Sequence, residues 1–301
     1  MVLLKLLLEL INIVINRDFV WRMIGKINKR TKLIRNILVT YAPTKDLAKL
    51  YARDAVLQKI KWKPYWLGFY IQHWNVWGLI FVVSSTNDEF KSSMYANRMR
   101  EILQKAENIK SSVGADSVSF GNSLPFFLYR INERKDVPED RITAKVVALA
   151  VEPLPDYFPI LQNHPLVMTK NAAIVIPEGT LSIGKKIKDL LPARRVEVIG
   201  KEDDFPGTDA VIFVAVTVWA LAKYADRIPN GSIILHEVFG KIGSEILDKL
   251  KKKNCLVLQL AGVEAILTIP NFPGIWAGGI PCCAAIDTDQ VTPRIRDVSN
   301  S

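Results

Sequence analysis

Two short stretches hold residues whose types and spacing could do chemistry. The first is "AAIVIPEGTLSIGKKIKDLL", Ala172 to Leu191. It reads as a buried strand, a turn from Pro177 to Gly184 and an amphipathic helix. Unpaired amides at a helix start make an anion site. Gly179 allows a tight turn, Thr180 and Ser182 offer hydroxyl donors, and Lys185 and Lys186 add positive charge. After the next strand, "GKEDD" begins at Gly200. An acidic residue there would suit the ribose of NAD, whereas Lys201 or Arg195 would suit a 2′-phosphate of NADP. The second stretch is "GGIPCCAAID", with Cys282 and Cys283 adjacent. A thiolate is a strong nucleophile; a buried thiol is a small hydrophobe. His236 and Glu237 fall at the end of an expected strand, where His236 could serve as acid, base or cofactor contact, or be structural. Glu264 ends another. Asn122 and Ser123 lie in a loop on the expected substrate side. The three histidines are far apart and no zinc-type Cys/His spacing occurs, so no metal is expected.

The elements that must position these residues follow from apolar periodicity. "NILVTYAP" reads as a strand and "TKDLAKLYARDAVLQKI" as one helix, with Thr44 as its N-cap. The aromatic stretch from Trp62 to Val83 reads as core, or as the lining of an apolar pocket. "SSMYANRMREILQKAENIKSSVG" reads as a helix with Met94 and Met99 on its apolar side, stopping at Gly114. A strand from "ADSVSF" enters the Gly121–Ser123 loop. A proline-rich crossover follows, with a short helix near Ile142 to Val151. From Ala172 short apolar runs alternate with helices: "AAIVI", "RRVEVIG", "TDAVIFVAV", "GSIILHEVF" and "CLVLQLAG". That alternation predicts an α/β fold: a C-terminal doubly wound parallel-sheet, Rossmann-like domain at 151–301, with an N-terminal α/β domain of substrate type at 36–150.

This layout resembles the cyanobacterial long-chain acyl-(acyl-carrier-protein) reductases over roughly Met94 to Ala285. More loosely it is similar to the shikimate-dehydrogenase-like group. The resemblance implies NADPH- or NADH-dependent reduction of an acyl thioester, or a related apolar carbonyl, through a cysteine-bound intermediate. It places Cys282 at the acyl-accepting position, with Cys283 beside it. It places the family's three fingerprint glycines on Glu178, Leu181 and Gly184, so only the helix-packing glycine is kept. Glu178 adds repulsion toward a pyrophosphate, and Leu181 has a Cβ where phosphates approach. The Lys–Asp pair of true shikimate dehydrogenases has no counterpart here. The departures support a second reading: a non-catalytic Rossmann-like binding or assembly protein.

Charge is distributed unevenly. Residues 1–110 hold 19 Lys/Arg and 8 Asp/Glu of the chain's 40 and 30, so the excess of +10 sits in the first third. An anionic partner is implied: a membrane surface, an acidic carrier protein or nucleic acid. No recognised nucleic-acid motif accompanies the basic segment, which places nucleic acid last. Within residues 1–35, "MVLLKLLLELINIVIN" is apolar except for Lys5, Glu9, Asn12 and Asn16, which line one stripe of a helix. Seven basic residues follow between Arg17 and Arg35. The order, apolar then basic, is the reverse of a signal peptide. Two readings stand: an interfacial anchor on anionic lipid, or a helix docked on the body or on a second copy of the chain. With three cysteines and no disulfide framework, a cytoplasmic setting is expected, peripheral at the inner face of a membrane where the anchor reading holds.

Overall fold

The computed structural model describes residues 2–15, 17–42, 45–49, 51–131, 137–152, 154, 172–177, 183–200, 205, 209–215, 218–237, 242–267, 279–286 and 289–299. The protein is an α/β protein with two sheets rich in parallel pairs. It divides into two compact units. Met1–Glu139 and Ala265–Asp289 form the first, and Asp140–Glu264 and Gln290–Ser301 the second. The expected segments are 1–35, 36–150 and 151–301, whereas the division here falls at 139/140 and gives residues 265–289 back to the first unit. The cysteine-bearing segment belongs with the first unit.

The first unit opens with helices α1 (Val2–Ile15) and α2 (Asp18–Thr31), then strand β1 (Ile34–Tyr41). The expected helix over 44–60 is two short ones, α3 (Lys45–Ala48) and α4 (Asp54–Lys59). The break lets Tyr51 and Ala52 enter the core. Thr44 lies outside the described residues. Strands β2 (Tyr65–His73) and β3 (Val76–Val83) form a hairpin, followed by α5 (Asn87–Lys91), α6 (Ala96–Val113), β4 (Ser117–Phe120) and α7 (Leu124–Arg130). Gly114 closes α6 in the left-handed conformation. Met94 falls in a 3-10 turn before α6 and is exposed, because the α-helix begins two residues later. The aromatic stretch is largely core, with Tyr65, Tyr70 and Phe81 buried; Trp74, at the hairpin tip, is exposed. The return segment holds β10 (Ile266–Leu267) and β11 (Gly279–Ile280). Sheet order is β10-β2-β3-β1-β4, with β1 parallel to β3 and β4.

Helix α8 (Pro138–Val151) leads into the second unit. There β5 (Ile174–Pro177), helix α9 (Ile183–Leu190), β6 (Val196–Ile199), β7 (Ile212–Ala215), α10 (Val218–Tyr224), β8 (Ile233–His236), α11 (Ser244–Lys252) and β9 (Leu256–Glu264) alternate. The parallel order is β9-β8-β7-β5-β6, and β12 (Pro293–Asp297) joins β9 antiparallel. Strands of four residues with all four buried match the continuous apolar runs of a sheet covered on both faces. Counted within the unit, the order is 2-1-3-4-5, so the sheet reverses its direction of growth between β5 and β7. Ligands of open parallel sheets sit outside the carboxyl ends at such a point.

Candidate functional site

In the first unit a row of residues crosses the sheet in register. Tyr70 on β2 lies opposite Gly78 on β3, Gly78 opposite Asn36 on β1, and Asn36 opposite Ser117 on β4. Gly78 has no side chain, so the Tyr70 ring crosses over β3; a Cβ on Gly78 would overlap the ring. The phenol oxygen thereby reaches Asn36, accepting from its Nδ2 at 2.9 Å. Asn36 Oδ1 accepts from Ser117 Oγ at 2.9 Å and Ser119 Oγ at 3.2 Å. Both serines are on one face of β4, two residues apart. Tyr70, Asn36 and Ser119 are buried and Ser117 is exposed, so the bonds among the three buried groups replace water lost on burial.

The cysteine turn lands on this row. Cys282–Ala284 is a 3-10 turn packed against β4. The Tyr70 hydroxyl donates to Ala284 O at 2.8 Å. Two residues along the same face of β2, Gln72 Oε1 accepts from Ile286 N at 2.8 Å. The turn is thus pinned on its carboxyl side by two side chains of one strand. Burial raises the Tyr70 phenol above its ordinary value, opposed by the Asn36 hydrogen bond and reinforced by Cys283. The hydroxyl therefore stays protonated and remains the donor. Cys282 has no exposed surface, whereas Cys283 is half-buried. Of the two, Cys283 is the thiol a solution reagent can meet.

Asn122 and Ser123 follow β4 in the same unit. Asn122 has φ 56°, a left-handed conformation that asparagine tolerates better than most residues. Its Nδ2 donates to Tyr41 O at 2.9 Å and Thr40 Oγ1 at 3.2 Å. The amide nitrogen is thus engaged by the end of β1, which gives it a loop-fixing role. Ser123 is exposed at the start of α7, and the Tyr41 hydroxyl donates to Asn87 Oδ1 nearby.

In the second unit, Gly184 is buried at the start of α9. A Cβ there would stand 3.2 Å from Val198 Cγ2 and 3.3 Å from Ile176 Cγ2. Its smallness seats the helix on β5 and β6. Gly179, Thr180, Ser182 and Lys201 lie outside the described residues. His236 ends β8, opposite Ala215 and Gln259, and burial pulls its imidazole down to about 4. It is neutral at physiological pH. Glu264 ends β9 exposed, its amide donating to Thr292 O at 2.9 Å.

The candidates thus divide. Cys282, Cys283, Asn122 and Ser123 belong to the first unit, and Gly184 and His236 to the second. Among the described residues no group of three or more His, Cys, Asp or Glu side chains could hold a metal ion. Sequence reasoning missed Asn36, Tyr70 and Gly78. An asparagine early in "NILVTY" and a glycine inside "VWGLIFVV" were the available signals, since both break apolar strand patterns.

No protein-family model matches the chain, and a search of curated proteins found no match.

Proposed function

We propose that the chain is an NAD(P)H-dependent reductase of an acyl thioester or related apolar carbonyl, cytoplasmic and peripheral to a membrane. In this reading the second unit is a Rossmann-like domain and Cys283, rather than the buried Cys282, accepts the acyl group. The observation that carries the reading is the half-buried Cys283 on a turn held by Tyr70 and Gln72. A thiol on a fixed turn is oriented before substrate arrives, which favours attack over free rotation. Its thiolate would attack the thioester carbonyl, and the carrier thiol would leave with a proton. A reduced nicotinamide, when bound, would supply the hydride that the acyl carbon takes up. Breakage of the carbon–sulfur bond would then release aldehyde and return the Cys283 thiolate.

The described residues fit the scaffold of a dinucleotide site: the β5–α9 unit, the glycine that seats the helix, and the reversal point of the sheet. The test is intact-mass analysis after incubation with a long-chain acyl thioester. The acyl adduct is expected on the parent chain and on Cys282→Ala, and absent from Cys283→Ala. An adduct surviving Cys283→Ala would overturn the assignment.

A second reading, a non-catalytic binding or assembly protein, is favoured by Glu178 and Leu181 standing where the fingerprint has glycines. Calorimetry with NADPH and NADH separates the two. Absence of binding at millimolar cofactor supports the second reading and removes the first.

A further inference from the structure

The first helix is built inside out. Asn12 is 4% exposed and Glu9 8%, while Leu3 is 81% exposed. The polar stripe faces the body. Asn12 Nδ2 donates to Trp66 O at 2.8 Å and its Oδ1 accepts from Trp66 N at 2.8 Å. Glu9 takes the Arg53 guanidinium, whose Nε lies 2.9 Å from Oε1. The opposite side, Leu3, Leu7, Leu10 and Val14, is open to solvent. These positions recur every three or four residues and form one continuous face.

Helix α2 extends the same theme with charge. Its inner side is fixed. Gly25 lies against Ser112 at the end of α6, where a Cβ would overlap the carbonyl. Asn28 Nδ2 donates to Ile34 O at 2.8 Å, and its Oδ1 accepts from Ile34 N at 2.7 Å. The outer side presents Phe19, Met23 and Ile27, spaced by four. Arg22, Lys26 and Arg30, also spaced by four, are exposed in the adjoining row. With Arg17, Lys29 and Lys32, six exposed basic residues stand here against one exposed acid, Asp18. The buried sides of both helices are satisfied by the body, so their orientation is set by the fold.

We propose that this outer face of α1 and α2 docks flat on an anionic lipid bilayer, the leucines and Phe19, Met23 and Ile27 entering the acyl boundary and the basic row meeting headgroup phosphates. This rests on the peripheral placement proposed above and not on its chemistry. The charge row selects the occupant. A second copy of the chain would present the same basic row to itself, whereas an anionic surface complements it. Among the described residues no helix is long and apolar enough to cross a membrane. An α1 of 14 residues is only about 21 Å long, which suits an in-plane foot.

The test uses the full chain in vesicle flotation, with phosphatidylcholine alone and with added phosphatidylglycerol. The parent protein is expected to float with anionic vesicles and to release at high salt. Leu7→Glu/Leu10→Glu should abolish flotation. Arg22→Gln/Lys26→Gln/Arg30→Gln should lower the partition coefficient by about a hundred-fold. Circular dichroism and thermal melts matching the parent show that these variants are folded. Parent protein that ignores anionic vesicles, or folded variants that float as well as the parent, would overturn the proposal. So would light scattering that shows a vesicle-indifferent dimer converted to monomer by Leu7→Glu/Leu10→Glu. Acylation of Cys283 is read separately by mass, so a failed reductase leaves the docking result standing, and the reverse.

Discussion

At the scale of the residue, one hydroxyl couples the first sheet to the cysteine turn. Tyr70 accepts from Asn36 and donates to Ala284 O. Tyr70→Phe keeps the ring over Gly78 and removes both bonds, leaving a buried amide and a buried carbonyl without their partner. The expected cost is about 1–3 kcal/mol, read as a lower urea midpoint with unchanged m-value. A second readout isolates the coupling. If the hydroxyl pins the turn, Cys283 in the Phe variant should react faster with a thiol reagent below the unfolding midpoint. An unchanged labelling rate would show that Tyr70 does not position the turn. The row is hidden from a linear reading. Tyr70 and Gly78 meet across a local hairpin, but Asn36 joins them only through the register of β1 on β3, strands about forty residues apart in sequence.

At the scale of the element, the parallel sheet of the second unit was the legible part. "AAIVI", "TDAVIFVAV" and "GSIILHEVF" each contain a buried strand, because an apolar run flanked by turn residues has few alternatives in an α/β chain. Helix α1 was half legible. Its narrow polar stripe is plain in the sequence, but burial by hydrophobicity alone would turn that stripe outward. The reversal comes from the edge of β2. Beyond its short pairing with β10, β2 offers the N–H and C=O of Trp66, and the Asn12 amide satisfies both as a neighbouring strand would. Asn12→Leu makes the helix more apolar and is nonetheless expected to destabilise by about 1–3 kcal/mol, since it strands both Trp66 groups. Leu10→Gln, on the outer face, should change stability by less than about 0.5 kcal/mol. Paired urea titrations check the contrast. A stabilised Asn12→Leu would mean that packing outweighs those bonds.

At the scale of the whole molecule, the two units carry different electrostatic loads. The basic excess lies in the first 110 residues, and His236, desolvated by burial, lies in the second unit at the end of β8. His236 titrates near its ordinary 6.5 when unfolded and at about 4 when folded, because burial disfavours the imidazolium. Between those values the unfolded chain holds a proton that the folded chain does not, so stability rises with pH across that window. The contribution is complete above about pH 6.5 and is lost as pH falls toward about 4, up to about 3 kcal/mol by linkage. Acid should therefore weaken the second unit before its carboxylates titrate. His236→Gln removes the proton site, so its stability curve should be flatter than the parent's from pH 6.5 to 4 and should meet the parent's at the acid end after a constant offset is subtracted. Imidazole NMR shifts that titrate near 6.5 in the folded protein would contradict the burial argument, and parallel curves for parent and variant would assign the acid limb to other groups.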